Sequence, residues 1–437
     1  MSFAGVRTLW ARAAVLVLSA PLLMAGPIPA SGATIGHAMA PAVDAESQVD
    51  FSADSEADAT KPPPPPPCWE MIPLVCFKPD TIRAAYGIQP MLDQGITGRG
   101  TTIVVIGAYS DPNIQDDLKT FDTLWKIPHQ EKLDLTVIDL GVPTFDPNPM
   151  HVQFSFSLEI AIDVEWAHAV APDAKIVLVE AKSKEDVDLV AALQYAVDNN
   201  LGDVITQSFG EAEMCTPQAV LDQQHAAFQK AAELGITVFA SSGDHGAARQ
   251  SCDGTGWVLS ASTPASDPQV TAVGGTHLVA GAGGTYQSES AWITPKAASG
   301  GGFSTLYRRP GYQAPLQKDD NKARGVPDVS YAAESYVARW MTHNALVAGT
   351  SAGAPQWAGI VALADQDAGH RLGSINKTLY HIAKSDAYSS AFNDISSGGN
   401  SLMGINGYKA KPGWDAVTGL GTPIVNNLIP LLIDGEE

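Results

Sequence analysis

Positive charge is scarce in this 437-residue chain: Lys and Arg number 26 against 47 Asp and Glu, for a formal charge of −21. Such a polyanion repels nucleic acid and anionic lipid, so duplex binding is disfavoured as an activity. Charge of either sign is sparse, at 17% of residues. Repulsion among the carboxylates relaxes as pH falls, and the composition fits an acidic workplace. Cysteine is limited to Cys68, Cys76, Cys215 and Cys252, with no C-x-x-C or His/Cys cluster to suggest zinc or haem. Four cysteines allow three pairings; Cys68–Cys76 with Cys215–Cys252 is expected because each pair closes a local loop. Apolar residues are plentiful, at 45%. In a chain of this length they can build one large core or two modest ones.

Long hydrophobic runs are missing beyond the N-terminus. Residues 1–33 carry Arg7 and Arg12 and no acid, then an apolar run from Ala13 to Gly26 broken by Pro21, then Ser31-Gly32-Ala33. The run falls short of the roughly 20 residues that span a bilayer, and the pattern is that of a secretory signal peptide. Residues 34–67 hold six acids, no Lys or Arg before Lys61, and the proline run Pro62–Pro67. Acidic, apolar-poor sequence stays disordered and a proline run is a stiff rod, so no packed structure is expected before Cys68. The expected organisation is a signal peptide over 1–33, a disordered segment over 34–76 and one folded domain over 77–437.

From Thr101 onward, short β-branched runs alternate with helical stretches. The runs are Thr102–Ala108, Lys175–Glu180, Val204–Ser208, Thr237–Ser241 and Val270–Val273; Lys184–Asn200 and Pro217–Leu234 are two of the helices. Apolar strands joined by crossover helices predict an α/β fold, a mostly parallel central sheet with helices on both faces. Ligands of such sheets bind beyond the carboxyl ends of the strands.

Three segments carry chemistry. In Gly349-Thr350-Ser351-Ala352-Gly353-Ala354-Pro355 a serine stands at a helix start, where backbone N–H groups and the helix dipole stabilise an oxyanion. The segment around Leu158-Glu159-Ile160-Ala161-Ile162-Asp163 is apolar on nearly every side of a helix and should be buried. Glu159 and Asp163 lie four apart on one face, an unfavourable like-charge spacing unless they share a proton or a hydrogen bond. Glu165 is the acid expected to face solvent. In Ser241-Ser242-Gly243-Asp244, the aspartate projects from a strand's carboxyl end; kept protonated, it can donate to a developing oxyanion. Phe209 either lines the cleft or packs in the core.

Together these segments resemble the sedolisins, serine-carboxyl peptidases of subtilisin-like fold, from about Phe77 to Pro423. The resemblance implies Ser351 as nucleophile, Glu159 as general base, Asp163 as the residue that orients it, and Asp244 as oxyanion donor. Phe392-Asn393-Asp394-Ile395 with Gly413-Trp414-Asp415 is similar to the family's calcium loop. It implies one Ca2+ held by the side chains of Asp394 and Asp415 and the carbonyls of Ile395, Lys411 and Gly413, Lys411 standing where the family often has glycine. Two carboxylates and several carbonyls suit a hard cation. The chain departs from the family in having only residues 34–76, read as disordered, where a long folded prosegment is usual; self-inhibition and autocatalytic maturation are not expected. A conventional subtilisin is excluded by the lack of an H-G-T-type histidine: His277 follows Gly275-Thr276, and His168 lies within the acidic helix. The expectation is a secreted, monomeric, acid-acting endopeptidase with polypeptide substrates, no nucleic-acid partner and no membrane partner after signal removal. The rival reading is a catalytically inactive secreted binding protein.

Overall fold

The computed structural model describes residues 40–41, 76–129, 132–148, 150–317 and 322–435. The signal peptide, most of the acidic segment and Cys68 lie outside the described residues. Strands β1 to β7 are Ala40–Pro41, Thr102–Ala108, Leu135–Asp139, Lys175–Ala181, Val204–Gln207, Phe209–Ala212 and Thr237–Ser241. Strands β8 to β12 are Ala248–Gln250, Trp257–Leu259, Ser262–Thr263, Thr271–Ala280 and Tyr286–Ala291, and β13 is Val329–Ala332. An eight-stranded sheet runs β12-β11-β7-β5-β2-β4-β3, with β13 also paired to β11. Every pairing in it is parallel except β11–β12.

The side-chain alternation of β2 explains the layers. Ile103 and Val105 enter one core and Val104, Ile106 and Ala108 another. Helices α1 (Ile114–Trp125), α2 (Val152–Val170) and α5 (Gly353–Ala368) cover the first face; α3 (Asp186–Asp198) and α4 (Gln218–Glu233) cover the second. A strand buried on both faces reads as an unbroken apolar run, which is why β2, β4, β5 and β7 were visible in the sequence. The edge strands β3 and β12 are half-exposed, β12 is polar as well, and neither was among the predicted runs. Helix α2 meets α5 closely: a Cβ on Gly359 would fall 2.8 Å from Val170. The two helices that carry Glu159 and the segment after Ser351 are thereby held in one layer. Among the described residues no helix is long and apolar enough to cross a membrane.

Cys215 and Cys252 form the expected disulfide, closing a separation of 37 residues. Cys76 is also disulfide-bonded. One expectation fails before Cys68: Ala40–Pro41 pairs antiparallel with Phe209 and Gly210 of β6. Composition does not forbid this, because a strand edge offers unpaired N–H and C=O groups to any extended segment.

Candidate active site

Four of the predicted side chains converge beyond the carboxyl ends of β5 and β7. Helix α2 starts where the His151 ring accepts the Gln153 N–H. It carries Glu159 and Asp163 on its buried side, 2% and 1% exposed. Ser208 follows β5, and its hydroxyl donates to Asp163 Oδ1 at 2.7 Å. Ser351 lies in a single 3-10 turn, Thr350–Ala352, directly before α5. Asp244 follows β7 and accepts the Thr350 N–H and the Thr350 hydroxyl at Oδ1, each at 2.8 Å. The serine and the aspartate are thus joined through Thr350.

The Ser351 hydroxyl sits against the Glu159 carboxyl and favours its charged form, although no hydrogen bond of ordinary geometry forms between them. Catalytic hydrogen bonds are commonly long in a free enzyme and tighten around substrate. Burial, then the charge of Asp163, holds the Glu159 carboxyl well above its usual range; Asp244 adds to the same push. Burial also raises Asp163, opposed by the Ser208 hydrogen bond. Two carboxyls four residues apart in a dry helix cannot both ionise cheaply, so they titrate as a pair that retains a proton. The unfavourable spacing seen in the sequence therefore persists and becomes a property of the site.

Glu165 does not face solvent. It is fully buried, and its Oε2 accepts the Arg339 N–H at 2.9 Å from the hairpin Tyr336–Trp340/His343–Val347. An apolar helix has no wet side, and the hairpin just before Ser351 covers the face left open by the sheet. Phe209 packs in the core, 2% exposed, among Leu189, Leu193 and Phe228. Ser208 and Thr350 had no role assigned from sequence. Their available signal was position, one directly after a buried strand and the other directly before the nucleophile candidate.

The predicted calcium-loop residues also gather. Asp394 accepts the Gly413 N–H at 3.0 and 3.1 Å. Asp415 Oδ2 accepts the Lys411 N–H at 2.9 Å, and Oδ1 accepts those of Val417 and Thr418 at 2.8 Å. The Thr418 hydroxyl links Asp415 to the Ile395 carbonyl. Burial raises Asp415 to about 6. The donors are all oxygen, from two carboxylates and the main chain, which fits a hard cation and no soft one. Among the described residues no group of three His, Cys, Asp or Glu could hold a metal.

Residues 158–391 match the Subtilase family. Pseudomonas sedolisin, a serine-carboxyl proteinase solved in complex with pseudo-iodotyrostatin, superposes with a TM-score of 0.71 at 26% identity, over 81% of this chain and 97% of that one. The chain belongs to the sedolisin family of the subtilases. Kumamolisin from Bacillus sp. (strain MN-32) is 32% identical over 78% of this chain and 61% of its own length. Tripeptidyl-peptidase sed1 of Aspergillus fumigatus is 32% identical over 53% of this chain and 40% of its own. The chain thus spans between 40% and 61% of these sedolisin-family relatives. In this chain the serine of the site sits against the Glu159 carboxyl, and Asp244 is tied to the neighbouring Thr350.

Proposed function

We propose that this chain is a secreted, acid-acting serine-carboxyl endopeptidase. Ser351 attacks a peptide carbonyl, its Oγ–H proton passing to Glu159, and the new C–O bond gives a tetrahedral intermediate. Protonated Asp244 and the Ser351 N–H stabilise the oxyanion. Glu159 then returns the proton to the leaving amine as the C–N bond breaks; water cleaves the acyl-enzyme by the same path. Asp163, held by Ser208, orients Glu159 and keeps a proton within the pair. The observation that carries this reading is the Ser351 hydroxyl against the Glu159 carboxyl, with Asp244 tied to the neighbouring Thr350. A carboxylate base operates where an imidazole is already charged, and Asp244 donates only while protonated, so the rate peaks in acid. Both edges of β6 are paired, one with β1 and the other with β10, so a substrate strand that adds to β6 would take the place of β1. Digestion of denatured protein between about pH 3 and 5, compared with Ser351→Ala, tests the assignment. A profile peaking at neutral or alkaline pH sinks it.

Asp394 and Asp415, with the carbonyls of Ile395, Lys411 and Gly413, would hold one Ca2+, which supplies cross-linking of the loop to the sheet and no chemistry. Chelation is expected to lower the melting temperature by several degrees, on the order of RT ln(1 + [Ca]/Kd) in stability. Asp415→Asn should abolish that response. A melting curve indifferent to chelator in the unaltered protein removes the site.

A further inference from the structure

We propose that Arg249 is a positioning residue for Asp244: its buried guanidinium fixes the 242–248 loop so that Asp244 meets Thr350 beside Ser351, and its charge sets the upper pH limit of the reaction. This rests on the reading of Asp244 as oxyanion donor.

Arg249 lies on β8 and is 5% exposed. Its Nη1 donates to the carbonyls of Ala248 at 2.7 Å and Gly246 at 3.3 Å, and its Nη2 donates to that of Ser242. All three acceptors are neutral; Ser242 and Gly246 lie in the loop that bears Asp244, and Ala248 ends that loop at the start of β8. Gly243, at φ +99°, is packed against the guanidinium: a Cβ there would lie 2.2 Å from Nη2. The Gly243 N–H donates to the Thr350 hydroxyl at 3.0 Å, and Thr350 in turn donates to Asp244. Any slackening of the arginine clamp therefore reaches the residue next to Ser351.

The charge matters separately from the clamp. Among the described residues no carboxylate is bonded to Arg249; the acid whose field it feels is Asp244. Burial pulls the guanidinium down to about 10, and Asp244 opposes that pull. Such coupling is reciprocal: a fixed cation that gains from the aspartate makes the aspartate easier to ionise. Among the described residues, the other titratable groups seen facing Asp244 are Glu159 on α2, with Asp163 behind it, and His245, next in the chain. A Glu159 carboxylate makes Asp244 harder to ionise. His245 is pushed down to about 4, first by burial and then by Arg249, and is neutral above that pH. Arg249 is thus a permanent cation beside these described groups, and it ends the protonated, donating state of Asp244 at a lower pH than the acids alone would.

The test is the pH dependence of kcat/KM on one peptide substrate for the parent, Arg249→Gln, Arg249→Lys and Asp244→Asn. In Arg249→Gln the half-maximal pH on the alkaline side rises by about one pH unit. In Arg249→Lys, which keeps the charge and loosens the clamp, the rate falls several-fold while the limb stays within about 0.3 pH units of the parent. A glutamine profile that superimposes on the parent's overturns the inference. So does a lysine profile displaced by a full pH unit, which decides the matter even if the glutamine variant does not fold. Asp244→Asn separates the two layers, because an amide donates at every pH. If it loses the alkaline limb while Arg249→Gln moves nothing, Asp244 keeps its role and Arg249 loses its own. If it keeps both the parent's rate and limb, the oxyanion reading itself fails.

Discussion

Replacing Ser351 by alanine lowers turnover of denatured protein in acid by at least about 10,000-fold and leaves the melting curve in place. The second half follows from the packing. The hydroxyl is buried, touches Glu159, and makes no hydrogen bond of ordinary geometry. Deleting it removes no satisfied donor and opens little space, so stability has little to lose. The first half follows from the chemistry, since among the described residues Ser351 is the hydroxyl that faces the Glu159 carboxyl. Glu159→Gln should cost a similar factor, and the double variant little more than either single one, because base and nucleophile act as a unit. Residual activity above a tenth of the parent's in Ser351→Ala would show that another residue attacks the substrate. Digestion by a co-purifying protease is excluded by running the alanine variant through the same preparation.

The melting temperature is expected to rise by roughly 5 to 10 °C from pH 8 to pH 4. Asp111 and Asp365 are raised to about 7, and Glu180 and Asp186 to about 8, in each case chiefly by burial. Second contributions differ: backbone N–H groups oppose the rise at Asp111, Glu180 and Asp365, and Glu211 adds to it at Asp186. A carboxyl whose folded pKa lies above its unfolded value holds more protons when folded. Stability is then fully present below about pH 4 and is lost as pH rises toward 8. Asp111, 3% exposed, contributes up to about 4 kcal/mol of that loss; Glu180 and Asp186, 5% and 2% exposed, add to it in the same direction. Glu165→Gln is the control. Burial holds Glu165 well above its usual range, so the amide should raise the melting temperature at pH 8 and leave it unchanged at pH 4. A stability maximum at pH 8, or a glutamine variant weaker at both pH values, contradicts this account.

The failure at Glu165 shows where sequence reasoning ends. Assigning it to solvent left one wet position on a helix otherwise read as buried. Helix α2 has none, because the sheet covers one face, α5 a second and the hairpin ending at Val347 the third. Those partners lie far from it in sequence, and nothing in the spacing of apolar residues on α2 distinguishes a hairpin from water. The pairing of Ala40–Pro41 with β6 was hidden for a related reason. A two-residue strand on an edge needs no hydrophobic pattern, only backbone groups that any extended residue supplies. Arg249 was equally silent, since its acceptors are main-chain carbonyls, which every sequence contains.

Local chemistry alone determined the parallel sheet, the buried acid helix, the serine at a helix start and the aspartate after a strand, because apolar runs, four-residue spacing and turn residues are written in order along the chain. Only the tertiary structure decided that Ser208 steadies Asp163, that Thr350 joins Asp244 to the Ser351 turn, and that the Arg249 guanidinium sits beneath that loop. Burial and electric field are set by what packs from a distance, and both determine which of these acids keeps its proton.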